Sequence, residues 1–312
     1  MSRHEQPRAA GDSELAGLPK PAEHRVRRFA EQAVGPLAEW ADVSWPRADS
    51  RVWMARGRAG DVWFVKVHQN PRFHGRALLA HQTWVPHLGT AASQLVAEDA
   101  ALLALVVTAV PGRPLHNTEL SPDEAREVFR RIGILARRIH SVSPPRPAPP
   151  GRGPAVEKAD RHLLTARPHL AAGDEEFVRS LVRQAVDLAP LDWVETHGDF
   201  QLRNILRAKD SSLAVIDFER SEPGPAVRDV VRLSYAWAGR PDLREAFLAG
   251  YGRPLTENEK ARLVIDTALD AVSGIQYSAR TGDTGLVQRG QTALVRLRTD
   301  TASQESAPGE AS

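Results

Sequence analysis

Cysteine is absent from this sequence of 312 residues. Its absence excludes disulfides, thiolate metal sites and a cysteine nucleophile. The chain also lacks a clear excess of one charge, because 41 Lys and Arg against 39 Asp and Glu leave a formal net charge of +2. The arginines are scattered among acidic residues and form no basic stripe. We therefore expect no nucleic-acid partner.

Long hydrophobic runs are also missing. The most apolar segment, AALLALVVTAV at residues 100–110, is shorter than the roughly 20 residues that a membrane-spanning helix needs. The N-terminal stretch MSRHEQPRAAGDSELAG has no apolar centre of the kind found in secretory signals. We therefore expect a cytoplasmic protein without a membrane partner, either a monomer or a homodimer.

Composition divides the chain into tails and an ordered interior. Residues 1–20 are polar and rich in Gly, Pro and Ala, and residues 299–312 carry no apolar periodicity, so both segments are predicted to be disordered. The run SPPRPAPPGRGP at residues 143–154 has too many prolines for a helix or a central strand. This run is predicted to be an exposed connection.

The ordered interior changes from strand patterns to helix patterns along the chain. SRVWMAR and DVWFVKVHQ flank the turn GRAG and predict a β-hairpin. A helix in RALLAHQTWVPHLG that ends near Pro86 follows, and then strands in SQLVAED and ALLALVVTAV. Apolar residues at helical spacing predict helices at 121–142, 174–188, 228–251 and 256–279. The pattern predicts an α+β protein with a small β lobe at 21–110 and a larger, mainly helical lobe at 111–298.

The stretch THGDFQLRNIL, residues 196–206, carries the clearest chemical signal. Asp199 precedes Asn204 by five residues, which is the spacing of the kinase catalytic loop H-R-D-x-x-x-x-N, with Gly198 in place of the arginine. The apolar stretch LAVIDFERS then delivers Asp217 and Phe218 where kinases carry the metal-binding D-F-G. Each motif alone also fits an ordinary turn, cap or strand end, but their order and spacing together indicate phosphoryl transfer.

With HGDFQLRNIL, VIDFERSEPGPAVRDVVRL, VWFVKV and VPGRPL, the chain resembles the aminoglycoside phosphotransferase and choline kinase-like family. The resemblance covers about residues 45–290. It implies a two-lobed protein-kinase-like fold. The small N-terminal lobe, an antiparallel β-sheet plus one helix, binds the nucleotide. The larger C-terminal lobe is mainly helical and holds the catalytic loop and the acceptor site. The roles that it implies are Asp199 as catalytic carboxylate, Asn204 and Asp217 as Mg²⁺ ligands, Lys66 as phosphate-binding cation, and His197 and Asp229 as supporting residues.

Three positions keep alternative interpretations. Lys66 lies in an apolar strand, where an unpaired ammonium is costly, although a lysine on an alternating strand can also face solvent. His197 suits a scaffold role better than a base or a metal ligand. Glu219 is expected either to support the metal site or to point to solvent.

The sequence departs from the kinase pattern around Lys66. Kinases fix this lysine with a helix glutamate, but no acidic residue lies between Asp61 and Glu98, and Ala77 occupies the expected position. Either Asp217 or a polar neighbour such as Gln82 is then expected to hold Lys66, or the contact of Lys66 with phosphate is weakened. The segment WPRADSR, where a phosphate-binding loop is expected, has no glycine.

The leading hypothesis is a Mg²⁺-dependent small-molecule kinase that transfers the γ-phosphate of ATP, or of GTP, to a substrate hydroxyl. The nucleotide base is expected to bind backbone groups near Val107 and Ala109. The acceptor is an aminoglycoside, in which case the protein confers antibiotic resistance, or another hydroxyl-bearing metabolite. The alternatives are a pseudokinase that binds nucleotide or a partner without turnover, and a metal-dependent phosphohydrolase.

Overall fold

A computed structural model describes residues 21–45, 50–116, 118–149 and 155–306, and at 155–158, 279–281 and 302–306 the backbone alone. The predicted tail at 1–20, most of the segment WPRADSR and part of the proline-rich connection lie outside these ranges. The helices are α1 (Glu23–Val34), α2 (Pro71–Thr83), α3 (Pro122–His140), α4 (Ala155–Ala166), α5 (Asp174–Gln184), α6 (Arg228–Leu233), α7 (Pro241–Tyr251), α8 (Glu257–Thr281) and α9 (Thr284–Ser306). The strands are β1 (Leu37–Asp42), β2 (Arg51–Gly57), β3 (Val62–Val67), β4 (Leu95–Asp99), β5 (Ala104–Thr108), β6 (Arg113–Pro114), β7 (Trp193–Val194), β8 (Ile205–Arg207), β9 (Leu213–Val215) and β10 (Gly224–Pro225).

The chain forms two compact units, and the predicted α+β class is confirmed. The first unit ends at Leu115 but also includes Arg203–Glu222, and the second contains His116–Leu202 and the chain from Pro223 onward. The sequence had assigned all of residues 111–298 to the helical lobe. Arg203–Glu222 groups with the first unit because β8 pairs with both β6 and β9.

The first unit is built on a five-stranded antiparallel sheet in the order β1-β2-β3-β5-β4. Trp53, Val65 and Val106 are fully buried in its core, and Val26 and Ala30 of α1 pack into the same cluster. Neither α1 nor β1 was predicted from the sequence, which anticipated one helix beside this sheet. In α2, which is that helix, the Asn70 side chain accepts a hydrogen bond from the Phe73 N–H and caps the first turn.

The second unit is helical, and its long helices begin at clear capping signals. Ser121 and Glu124 form a reciprocal capping box at α3, as Thr256 and Glu259 do at α8. A core of small and branched side chains joins α4, α5, α8 and α9. Among the described residues, no helix combines the length and the apolar character that crossing a membrane requires.

Several helix boundaries differ from the sequence prediction: α2, for example, spans Pro71–Thr83, whereas the predicted helix ends near Pro86. The single helix expected at 228–251 is divided, because a 3₁₀ turn at Ser234–Trp237 and a left-handed Gly239 precede Pro241, which starts α7. Helix α9 runs to Ser306, so it enters the predicted disordered tail at 299–312; residues 307–312 lie outside the described ranges. The Thr299 and Thr301 hydroxyls donate to carbonyls one turn earlier, which supports this extension.

Candidate active site

Lys66 lies at the centre of the first unit's sheet, and two carboxylates hold its ammonium. Its Nζ is 2.6 Å from Asp217 Oδ1 and 2.8 Å from Glu219 Oε2, and the lysine side chain is only 17% exposed. Burial alone would lower the pKa of Lys66, but the charges of Asp217 and Glu219 outweigh burial and raise it. The expectation that Asp217 holds Lys66 is confirmed, while the alternative Gln82 is exposed.

The segment after β9 directs both carboxylates toward Lys66. Asp217 has a left-handed backbone with φ of 75°, a conformation that costs a non-glycine residue about 1–3 kcal/mol and is maintained only by its surroundings. Phe218 supplies such support, since its buried ring packs edge-on against His81 and Trp84. Glu219 also accepts a hydrogen bond from the Ser50 hydroxyl at 3.1 Å, so it does not point freely to solvent.

Asn204 is buried at the end of a 3₁₀ turn that leads into β8. Its backbone carbonyl accepts the Ile216 N–H at 3.0 Å, which joins it to the segment that carries Asp217. Among the described residues no group of three or more His, Cys, Asp and Glu forms a metal site. An amide and a carboxylate nevertheless fit Mg²⁺, which takes oxygen ligands and usually binds proteins through one or two carboxylates plus phosphates and water.

Helix α2 carries no anion at the position where kinases place their glutamate. Ala77, at the position expected for the glutamate, is buried and has no polar side chain. Its neighbour Arg76 forms an ion pair with Glu222. The Arg76–Glu222 ion pair therefore connects α2 with the segment after Asp217, and the cation of this pair lies on the helix.

The strand expected to receive the nucleotide base is β5, and part of its backbone is already bonded within the sheet. The Thr108 N–H donates to the Gln94 carbonyl at 2.8 Å, and the Ala109 N–H donates to the Val62 carbonyl at 3.2 Å. Val107 lies opposite both Phe64 and Leu95. The Ala109 amide is therefore not available to a base unless this bond breaks, and the roles of Val107 and Ala109 stay predictions.

In the second unit, the catalytic loop is tied to one buried carboxylate. Asp229 accepts the backbone N–H groups of His197 at 2.8 Å and Gly198 at 2.7 Å. The loop turns through Gly198, whose φ of 76° is in the left-handed region and explains why glycine replaces the arginine of the kinase motif. His197 is fully buried, and its Nδ1 accepts the Asp199 N–H at 3.2 Å. These contacts are those of a scaffold histidine.

A second histidine extends this support into the helices. His140, the last residue of α3, bonds Asp229 through Nε2 at 3.1 Å and the Tyr251 hydroxyl through Nδ1 at 3.0 Å. The two helices that carry His140 and Tyr251 touch through glycines: a Cβ on Gly250 would lie 1.8 Å from the Arg130 carbonyl oxygen. This close approach of α3 and α7 brings His140 and Tyr251 together.

Asp199 has two polar partners of its own in the second unit. Its Oδ1 accepts hydrogen bonds from Gln201 Nε2 and from the Arg232 guanidinium. Arg232 also contacts Asp270 at 3.0 Å, and the Tyr235 hydroxyl donates to the other oxygen of Asp270 at 3.3 Å. The Asp270 charge, and then Asp199, raise the pKa of Arg232 against the opposing effect of burial, so this guanidinium stays charged.

The comparisons with known proteins agree with this arrangement. The profile described as the phosphotransferase enzyme family matches residues 46–264, which include Lys66, the catalytic loop and Asp217. The chain belongs to this phosphotransferase family. No curated protein matches the sequence.

Solved structures of other phosphotransferases show the same fold. The GDP complex of an aminoglycoside 2'-phosphotransferase mutant has a TM-score of 0.69 at 13% identity, covering 91% of this chain and 100% of that one. The choline kinase of Streptococcus pneumoniae has a TM-score of 0.64 at 15% identity, covering 88% and 99%. The macrolide 2'-phosphotransferase of Brachybacterium faecium has 0.59 at 16%, covering 87% and 97%. The predicted protein-kinase-like fold and family resemblance are thereby confirmed.

Sequence reasoning missed several residues around the catalytic loop of this phosphotransferase-family chain. His140, Gln201, Arg232 and Asp270 were not identified as site residues from the sequence. Gln201 could have been found, because it lies two residues after Asp199. Arg232 follows Asp229 by one helical turn, which places both near the loop once Asp229 is fixed.

Proposed function

We propose that this chain is a small-molecule kinase that transfers the γ-phosphoryl group of ATP to an acceptor hydroxyl. The observation that carries the proposal is the ion pair of Lys66 with Asp217 and Glu219 inside the first unit. It supplies a fixed cation for phosphate beside a carboxylate of the type that binds Mg²⁺. The lack of a helix glutamate, which motivated the pseudokinase alternative, therefore does not leave Lys66 without an anchor.

The first unit's groups suit the nucleotide phosphates. Asn204 and Asp217 would hold Mg²⁺, which would offset the negative charge of the phosphates. Lys66 would move from the carboxylates onto the phosphates, or contact both, because its ammonium has three donors. Glu219 and Ser50 would limit the positions that the ammonium can adopt.

Asp199 is the proposed catalytic carboxylate. It orients the acceptor hydroxyl toward the γ-phosphorus; the bond from the acceptor oxygen to phosphorus forms while the bond from the β–γ bridging oxygen breaks. The hydroxyl proton passes to Asp199, and the nucleoside diphosphate leaves. His197 and Asp229 hold the loop and take no proton in this scheme.

Nucleotide consumption with a panel of hydroxyl acceptors, including choline and aminoglycosides, tests the proposal. Turnover should require both Mg²⁺ and an acceptor, and Asp199→Asn should reduce kcat by at least about 100-fold, the usual range for a proton-transfer group. Asp123→Asn removes a carboxylate from an exposed side chain of α3 and serves as the control that leaves turnover unchanged.

The same assay separates the other hypotheses. A pseudokinase would bind nucleotide but consume none with any acceptor, whereas a hydrolase would consume it with water alone. Acceptor-dependent turnover that survives Asp199→Asn would show that the assigned mechanism is wrong. Competition between ATP and GTP in the same reaction identifies the phosphate donor.

A further inference from the structure

The second unit contains a surface pocket of about 340 Å³, within the size range of small-ligand sites. The 3₁₀ turn that follows α6 forms one wall and helix α9 forms the other. The α9 residues that line the pocket recur at α-helical spacing and therefore lie on one face of that helix. The lining includes Tyr235, Ala238, Gln288, Arg289, Thr292 and Arg296.

The pocket is linked to the proposed catalytic carboxylate through Tyr235. Its hydroxyl donates to Asp270, and Asp270 holds Arg232, which contacts Asp199. Burial, and then the Asp270 charge, raise the pKa of the Tyr235 phenol, so it remains a neutral donor. Three side chains, those of Tyr235, Asp270 and Arg232, therefore connect a ligand that touches Tyr235 with Asp199.

The charges around this pocket favour an anion. Arg289 and Arg296 both line it, and within the described part of the chain neither forms an ion pair. The charge of Arg296 opposes the rise in the pKa of Tyr235 that burial and Asp270 cause. The guanidinium of Arg296 is therefore near the phenol. The pocket thus has two guanidinium groups that a carboxylate or phosphate would neutralise.

Four acidic residues, Glu257, Glu259, Asp266 and Asp270, already form ion pairs with arginine or lysine. Glu259 binds Arg253 at 2.7 Å, and Asp270 binds Arg232 at 3.0 Å. Glu257 and Asp266 form ion pairs with Lys260 and Arg262 within α8. A cationic ligand would compete with these pairs, whereas an anionic ligand in the pocket meets Arg289 and Arg296, which form no ion pair with any residue that the structure describes.

We propose, on the basis of the proposed kinase function, that the acceptor carries a carboxylate or a phosphate that binds Arg289 and Arg296 in the Tyr235 pocket. The hydroxyl to be phosphorylated then extends along the side of Arg232 toward Asp199. The substrate class is an acidic hydroxyl compound and not a polyamine.

Calorimetric titration of the full chain, saturated with ADP and Mg²⁺ to fill the nucleotide site, tests this binding. The probes share a sugar ring and differ in charge: glucuronate and glucose phosphate are anionic, glucose is neutral and glucosamine is cationic. Both anionic probes should bind at least about tenfold more tightly than glucose, and added salt should weaken their binding. Equal or tighter binding of glucose or glucosamine overturns the proposal.

The double variant Arg289→Gln with Arg296→Gln identifies the location of the anion. It should lose about tenfold in affinity for glucuronate and glucose phosphate, and Arg244→Gln, which removes an exposed arginine of α7, should lose none. Retained affinity in the double variant overturns the proposal, because the anion would then bind elsewhere. This test needs no turnover, so its failure leaves the kinase function standing, and failed phosphate transfer would leave the anion site standing.

Discussion

Replacing Asp229 by asparagine tests whether this carboxylate supports the catalytic loop. Its side chain is 1% exposed, and its two oxygens accept the His197 and Gly198 N–H groups, with His140 sharing one of them. Asparagine keeps the shape but turns one acceptor into a donor, so one buried N–H faces an NH₂ group. An unsatisfied buried donor costs about 1–3 kcal/mol, and the lost charge on the remaining bonds about 1 kcal/mol more.

We therefore expect Asp229→Asn to lower the free energy of unfolding by about 2–4 kcal/mol, which is a large part of a typical total of roughly 5–15 kcal/mol. Urea unfolding monitored by circular dichroism measures this loss: the midpoint urea concentration should fall, while the dependence of the unfolding free energy on urea concentration should not change. Asp242→Asn is the control: its partially exposed carboxylate pairs with nearby arginines at the surface, so its replacement should leave the urea midpoint almost unchanged.

The pH dependence follows from the same contacts. Burial would raise the pKa of Asp229, but the His140 and His197 contacts outweigh burial and lower it. A lowered pKa means that this stabilisation is complete above the pKa of the unfolded chain, about 3.9, and is lost as the pH falls through the folded value. The difference in the free energy of unfolding between the wild-type protein and Asp229→Asn should therefore persist at pH 7 and shrink below about pH 4. A difference under about 0.5 kcal/mol at pH 7 would refute the reasoning.

Two further substitutions test helix packing and the lysine anchor. Gly250→Ala should destabilise the protein by at least about 3 kcal/mol in the same urea assay, because the new Cβ meets the Arg130 carbonyl. Gly274→Ala is the control: a Cβ there meets no neighbouring atom within 4 Å, so the change should be neutral or stabilising by up to about 1 kcal/mol. If both alanines behave alike, close packing does not decide the cost. Glu219→Gln should reduce kcat/KM for ATP about tenfold, since Lys66 loses one charge-assisted bond of roughly 1.5 kcal/mol; an unchanged value would assign its orientation to Asp217 alone.

The catalytic loop could be predicted from the sequence because its signal is local. Asp199, Asn204 and Asp217 lie within one short stretch, and the spacing of that stretch is set by the loop and strand that carry them. Most strands of the first unit's sheet were also predicted, since alternation of apolar residues identifies a half-buried strand.

The partners of Lys66 could not be derived with the same certainty, because they depend on contacts between distant parts of the chain. Lys66 and Asp217 are 151 positions apart. Likewise, His140 reaches Asp229 only because α3 and α7 pack through Gly133 and Gly250. A helical histidine carries no sign of such a partner in its own neighbourhood.

The anchoring of Lys66 has a consequence for regulation. In protein kinases the lysine's partner is on a mobile helix, so the position of that helix turns activity on and off. Here both partners, Asp217 and Glu219, come from the segment that also supplies the proposed metal ligand. A displacement of α2 would break the Arg76–Glu222 pair and would move His81, against which Phe218 packs, but neither carboxylate that holds Lys66 lies on this helix. In the proposed kinase, α2 therefore carries no glutamate whose movement could break the ion pairs of Lys66.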